Sequence, residues 1–217
     1  MVNKYLVPSG FKDSLTFDSY AEHKYNNIII KYFRENGFTL IKTPLIEFSD
    51  NLNKNTLQIK TKMRYEKLSI RNDITPQVKR VASSRLAKKK RPLKLCYYGE
   101  VVRKTGTILR PERQFQQVGA EIIGSKSFKA DVEIINLAYE SLKKIGVKNI
   151  VIDVSAPFFI ENLTKKVKNL TKRNSLKKFI KLKDLKSSIS LLDNIEDQII
   201  LKKIYNCSGP IKNKKKE

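Results

Sequence analysis

The polar residues best placed to do chemistry are concentrated between Arg103 and Glu121, in the string Arg103, Arg110, Glu112, Arg113, Gln114, Gln117 and Glu121. Side chains of an extended segment alternate between faces, so Phe115, Gln117, Gly119 and Glu121 share one face and aim an amide and a carboxylate the same way. Such a face suits a small zwitterion. The Glu121 carboxylate would meet an ammonium or a protonated ring, and the planar fork of Arg103 would meet a carboxylate or phosphate. The same Gln and Glu would also serve as the solvated face of an ordinary sheet, and Arg110 and Arg113 would serve as a solvated loop. Gly119 favours close approach by a ligand or another backbone. A second candidate is Asp73-Ile74-Thr75-Pro76, where Asp73 or Thr75 either caps the following helix or stands beside N–H donors that attract an anion.

These residues need a frame, and hydrophobic periodicity supplies one. Tyr20, Ile28, Ile29, Tyr32 and Phe33 recur at helical spacing between Phe17 and Gly37, with Asn36-Gly37 as the stop. Phe38–Ile46 reads as a strand interrupted by Pro44, whose missing N–H suits an edge or an irregularity. A strand over Lys67–Ile70 runs into Arg71-Asn72-Asp73 and then a helix from Thr75 to about Leu86, with Pro76 in the first turn. Leu93–Arg103 is rich in β-branched and aromatic residues and reads as a buried strand. Lys104–Glu112 is a loop with Gly106 and Pro111, and Phe115–Ile123 is the returning strand of an antiparallel hairpin. Ala130–Ile145 is helical, with Val132, Ile135, Leu137, Ala138, Leu142 and Ile145 apolar; Asn149–Ser155 reads as a strand and Pro157 opens another helix. Beyond Lys165 the pattern is helical, thin and Lys-rich, ending in a run, Lys212–Lys216, that is expected to fray.

Composition bounds the function classes. A chain of 217 residues, 40% hydrophobic and 30% charged, is expected to be a packed globular domain. Its formal net charge of +24 points either to a polyanion partner or to a compositional bias toward Lys, Asn and Ile. One His, His23, and two distant cysteines, Cys96 and Cys207, offer no zinc ligand set and no disulfide framework. No apolar run has the length of a membrane span, and nothing after Met1 resembles a signal peptide, so a cytoplasmic protein without metal or cofactor is expected. P-loop, GxGxxG and Ser-His-Asp patterns are absent from the sequence.

From Pro8-Ser9-Gly10-Phe11-Lys12-Asp13 to about Ser155 the segments resemble, in order, the catalytic core of histidyl-tRNA synthetase and its non-catalytic paralogue, the regulatory subunit of ATP phosphoribosyltransferase. Thr43-Pro44-Leu45-Ile46-Glu47 is similar to class II motif 1, the homodimer interface of that family. Tyr98-Gly99-Glu100-Val101-Val102-Arg103 and Arg113-Gln114-Phe115-Gln116-Gln117-Val118-Gly119-Ala120-Glu121 resemble the two strands of motif 2. The resemblance implies an α+β fold: a central, mostly antiparallel sheet flanked by helices, with residues 1–160 forming the synthetase-like core. Residues 161–217 are then a shortened, Lys-rich helical segment completing the same domain. It also implies that Asp73, Thr75, Arg103, Gln117 and Glu121 form a histidine pocket, with Asp73 on the α-ammonium and Arg103 on the carboxylate. The wording Asp73-Ile74-Thr75-Pro76-Gln77 is closer to the regulatory subunit than to the synthetase.

Departures from the synthetase pattern set the functional expectation. Two positions after the motif 2 arginine, where an active synthetase has a glutamate for the adenine of ATP, stands Thr105. Nothing resembles the second histidine signature or the motif 3 arginine, and the length leaves no room for an anticodon-binding domain. Without such transition-state contacts aminoacylation is not expected. The resemblance implies a regulatory subunit, itself not an enzyme, that pairs with the short-form ATP phosphoribosyltransferase catalytic subunit. It would support that enzyme in the first step of histidine biosynthesis, pass on feedback inhibition by histidine, and self-associate through the motif 1-like region. A tRNA- or nucleic-acid-binding protein on the same core is the alternative, and a stand-alone amino-acid-activating enzyme the third.

Overall fold

The structure, a computed structural model, describes residues 6–52, 55–61, 66–153 and 157–207. The chain divides into two compact units, residues 1–151 and 152–217, each with its own core. The sequence pattern places a boundary at residue 160.

In the first unit, helix α1 (Thr16–Glu35) is followed by strand β1 (Thr39–Leu40) and strand β2 (Ile46–Phe48). The single strand expected over Phe38–Ile46 is thus two, in different sheets. The cause lies at the bend, where Arg71 Nη1 donates to the Thr43 carbonyl at 2.9 Å and Gln77 Nε2 to that of Pro44 at 2.9 Å. With Pro44 lacking an N–H and both carbonyls bound to side chains, no ladder can pass through. Strands β3 (Leu57–Ile59) and β4 (Leu68–Ile70) complete an antiparallel sheet of order β2-β4-β3. Helix α2 (Thr75–Ser83) then leads into β5 (Leu93–Val102) and β6 (Gln114–Ile123), an antiparallel hairpin paired over its whole length, and β1 adds in parallel to give the order β1-β5-β6.

Helices lie on both faces of this hairpin. On one side α1 and α3 (Phe128–Lys144) bury Ile30, Phe33, Phe38, Cys96 and Leu137 together. On the other, Ile74 and Val78 of the α2 region pack on Leu95, Tyr97 and Val101. The alternation that defines β-strand faces assigns the odd-numbered residues of β6 to the α2 side and the even-numbered ones to α1 and α3. Cys96 is fully buried, which pushes its thiol up and makes it the small core residue expected. The strand expected over Asn149–Ser155 does not form at 149–153, which pair with no strand among the described residues; residues 154–155 lie outside the described residues.

The second unit consists of α4 (Pro157–Lys166), α5 (Leu170–Lys181), α6 (Leu185–Ser190) and α7 (Ile195–Cys207) around Leu163, Leu176, Leu192 and Leu201. Asn169 caps α5 by accepting from the Lys172 N–H at 3.0 Å, and Asp184 caps α6 through Ser187 at 3.0 Å. The thin, Lys-rich pattern thus holds one leucine of the core on most of its helices. The run Lys212–Lys216 and the Cys207 side chain lie outside the described residues. Among the described residues no helix is long and apolar enough to cross a membrane, and no group of three His, Cys, Asp or Glu is placed to hold a metal.

Candidate functional site

Four of the five candidate residues meet on the α2 side of the hairpin. Asp73 Oδ1 accepts from the Thr75 N–H at 3.0 Å and from Gln117 Nε2 at 2.9 Å, while Gln117 Oε1 accepts from the Ile74 N–H at 3.0 Å. Thr75 Oγ1 donates to Glu121 Oε1 at 2.9 Å and lies 3.0 Å from the Tyr97 hydroxyl, which itself reaches Glu121 at 3.4 Å. The turn that leads into α2 is therefore fastened to β6 at two points. The residue at the helix N-cap is Ile74, with no side-chain cap of its own; Asp73 serves the first turn from one position earlier.

Tyr97 is a member of the cluster that sequence reasoning missed. The register places it directly opposite Gly119, and a Cβ at Gly119 would lie 2.4 Å from its hydroxyl oxygen. The strand glycine thus makes room for the Tyr97 ring and not, as expected, for a ligand or another backbone. The signal was the hairpin pairing itself: once Arg103 is matched to Arg113, Tyr97 and Gly119 must fall on one face. Burial pushes the Tyr97 phenol up to about 12, against the Thr75 hydrogen bond and with help from the nearby Glu121 and Asp73 carboxylates. It stays neutral, and so able to donate, throughout the ordinary pH range.

Arg103 stands apart. Its guanidinium lies 4.9 Å from the centre of the Phe115 ring, and that of Arg110 lies 4.2 Å from the same ring. Its cross-strand partner Arg113 is four residues from Gln117, roughly 13 Å along an extended strand. Arg113 is structural: Nε donates to the Arg103 carbonyl at 3.1 Å and Nη1 to that of Ser9 at 3.1 Å. His23 pairs with Asn27 on the exposed face of α1.

A second polar cluster supports the first from below. Arg71 is buried and donates to the carbonyls of Glu100, at 2.7 Å, and Thr43; burial lowers its pKa against the pull of Glu100. It passes so close to the hairpin that a Cβ at Gly99 would lie 2.2 Å from Nη2. Thr43 Oγ1 donates to Gln77 Oε1 at 2.8 Å, and Arg80 pairs with Glu47 at 2.7 Å. Burial works to raise the Glu47 carboxyl. The Asn51 and Phe48 hydrogen bonds, the Arg80 charge and Gln77 outweigh it and hold the group below its usual value. Arg71, Gln77, Glu47 and Arg80 thus hold the Thr43–Glu47 segment against the start of α2.

Two cavities of about 740 and 790 Å³ lie elsewhere, one along β3 and the other beside α1 and the opposite face of the hairpin. In the Asp73–Glu121 cluster the Gln117 amide, the Thr75 hydroxyl and one oxygen each of Asp73 and Glu121 are engaged in internal hydrogen bonds.

The hairpin, with α1 and α3 on one face and the α2 turn with its polar cluster on the other, fits the class II aminoacyl-tRNA synthetase core that the sequence resembles. Residues 10–213 match the family model described as histidyl-tRNA synthetase. The ATP phosphoribosyltransferase regulatory subunit of Rhodospirillum centenum is 37% identical over 163 residues, 71% of this chain and 42% of that protein. That of Clostridium botulinum strain Langeland is 30% identical over 224 aligned residues, 97% of this chain and 53% of that protein. A solved Bacillus halodurans ATP phosphoribosyltransferase regulatory subunit/histidyl-tRNA synthetase superposes with a TM-score of 0.73 at 21% identity, over 91% of this chain and 54% of its own. Histidyl-tRNA synthetase from Nostoc sp. PCC 7120 gives 0.71 at 18% identity, over 97% and 51%. The chain belongs to the histidyl-tRNA synthetase family. It spans about half the length of the curated relatives it matches.

Proposed function

We propose that this chain acts as a non-catalytic regulatory subunit of ATP phosphoribosyltransferase, partnered with that enzyme's short-form catalytic chain in the first step of histidine biosynthesis, with histidine as its effector. The observation that carries the reading is the joining of Asp73, Thr75, Gln117 and Glu121 in one network, on a segment whose relatives carry that name. Glu121 and Gln117 take the imidazole, Asp73 the α-ammonium and Thr75 assists. Arg103 leaves the Phe115 ring to meet the carboxylate. Thr105 stands where a synthetase needs a glutamate, and its hydroxyl donates to Asn55 Oδ1 at 3.5 Å, which supports a role without adenylate chemistry. Histidine regulates only by binding one state of the complex better than the other. Leu45, Ile46 and Phe48 expose apolar side chains beside the clamped bend, which supports self-association through this segment.

The test is the rate of phosphoribosyl-ATP formation by the short-form catalytic chain, with and without this protein, across a histidine titration. The rate is expected to rise on addition and fall with histidine, and the histidine response is expected to vanish in Glu121→Ala. An unchanged rate from chains that fail to co-elute would refute the reading. A second reading, binding of tRNA or another polyanion, is favoured by the exposed Arg85, Lys88, Lys89 and Lys90 after α2. It predicts binding that weakens steeply with salt.

A further inference from the structure

The segment from Arg71 to Gln77 carries two kinds of residue. Asp73 and Thr75, in its middle, belong to the candidate site, while Arg71 and Gln77, at its ends, reach the bend at Thr43–Glu47. A single hydroxyl joins the two ends. Thr43 Oγ1 donates to Gln77 Oε1 at 2.8 Å and accepts from Arg71 Nη1 at 3.0 Å. The other end of the Gln77 amide is also engaged, since Nε2 donates to the Pro44 carbonyl at 2.9 Å and to Glu47 Oε2 at 3.3 Å. The backbone adds a tie of its own, from the Arg71 N–H to the Leu45 carbonyl at 3.0 Å.

Burial makes these ties strict. Gln77, Thr43 and Arg71 are all buried, so a polar group set loose there loses its partner without gaining water. Ile74 and Val78 also hold the turn by packing on the hairpin, but hydrophobic burial has no direction and tolerates a slide. The hydrogen bonds, being directional, fix where Asp73 and Thr75 come to rest. Gln117 and Glu121 grip the same turn through Ile74, Asp73 and Thr75. The ties of Thr43 and Gln77 run instead to the bend and to Arg71, and so stay in place whatever Gln117 and Glu121 bind.

We propose that Thr43 and Gln77 are positioning residues for the effector site: the bend and the turn move as one element, and the bend sets the geometry in which Asp73 and Thr75 meet a ligand. That the ligand is histidine rests on the proposed function; the mechanical link does not. Linkage makes the effect reciprocal, so a ligand held by the turn also steadies the bend.

Thr43→Val removes the hydroxyl at nearly constant shape, and Thr43→Ser keeps it. Hydrogen exchange read residue by residue on the ligand-free protein tests the link through the Ile74 and Thr75 amides, which donate to Gln117 and Asp73. In Thr43→Val they are expected to exchange at least about tenfold faster than in the parent, and in Thr43→Ser to stay within about threefold of it. The amides of α3, on the opposite face of the hairpin, should keep the parent rates in both. Unchanged Ile74 and Thr75 amides in Thr43→Val overturn the proposal. So does an equal acceleration in α3, which marks a general loss of stability and not a loosened turn. Calorimetric titration of histidine gives the second measure: Thr43→Val should bind at least about fivefold more weakly than the parent, and Thr43→Ser like the parent. Binding that Thr43→Val leaves intact overturns the proposal and keeps the histidine site. No binding by the parent refutes the histidine site, and the exchange rates alone then decide the link.

Discussion

Tyr97 holds the candidate site together because its side chain is buried and its hydroxyl lies between Thr75 and Glu121. Its phenol ionises near 10.0 when exposed and at about 12 in the fold. Above pH 10 the unfolded chain therefore holds fewer protons than the folded one, and stability contributed below that pH is lost as the pH rises toward 12. The free energy of unfolding, measured by denaturant titration, is expected to fall over that window, and Tyr97→Phe should flatten the fall while costing about 1 kcal/mol at neutral pH. Gly119→Ala drives a methyl into the Tyr97 ring and should cost on the order of 1–3 kcal/mol in the same titration. A cost near zero would mean the ring moves aside freely. Gln117, Glu121, Asp73 and Thr75 were legible in the sequence because period-two alternation and a Pro-marked helix start depend on local spacing alone. Tyr97 was not, because its role depends on hairpin register, which a nine-residue connection from Lys104 to Glu112 leaves open.

Among the elements, α1, α2, the β5–β6 hairpin and α3 follow their hydrophobic periods to within a few residues. The failures, the split at Pro44 and the missing strand at 149–153, lie where pairing partners decide the outcome and not the segment's own residues. The bend at Thr43–Glu47 is set by Arg71, Gln77 and Arg80, side chains distant in sequence whose roles no local pattern announces. Glu47 gives this device a pH signature. Its carboxyl is held below the usual value of 4.5, so the stability it contributes is complete above that pH and is lost as the pH falls through its depressed folded value. Glu47→Gln is expected to lower stability at pH 7 and to narrow the difference between pH 5 and pH 3, read by thermal unfolding. An unaltered acid limb in the variant would show that other carboxylates govern it.

On the scale of the whole molecule, the net charge of +24 favours encounter with any acidic partner and says little about which. The proposed histidine site lies on unit 1–151, while unit 152–217 carries a helical core of its own around Leu176 and Leu201. In the proposed function, the face bearing Asp73, Thr75, Gln117 and Glu121 receives histidine. Calorimetric titration of histidine into the protein tests it most directly, alongside Glu121→Ala and Gln117→Ala. Saturable binding that both substitutions weaken at least about tenfold, a loss of roughly 1.4 kcal/mol each, is the predicted result. No binding by the parent chain, or equal binding by Glu121→Ala, would contradict it.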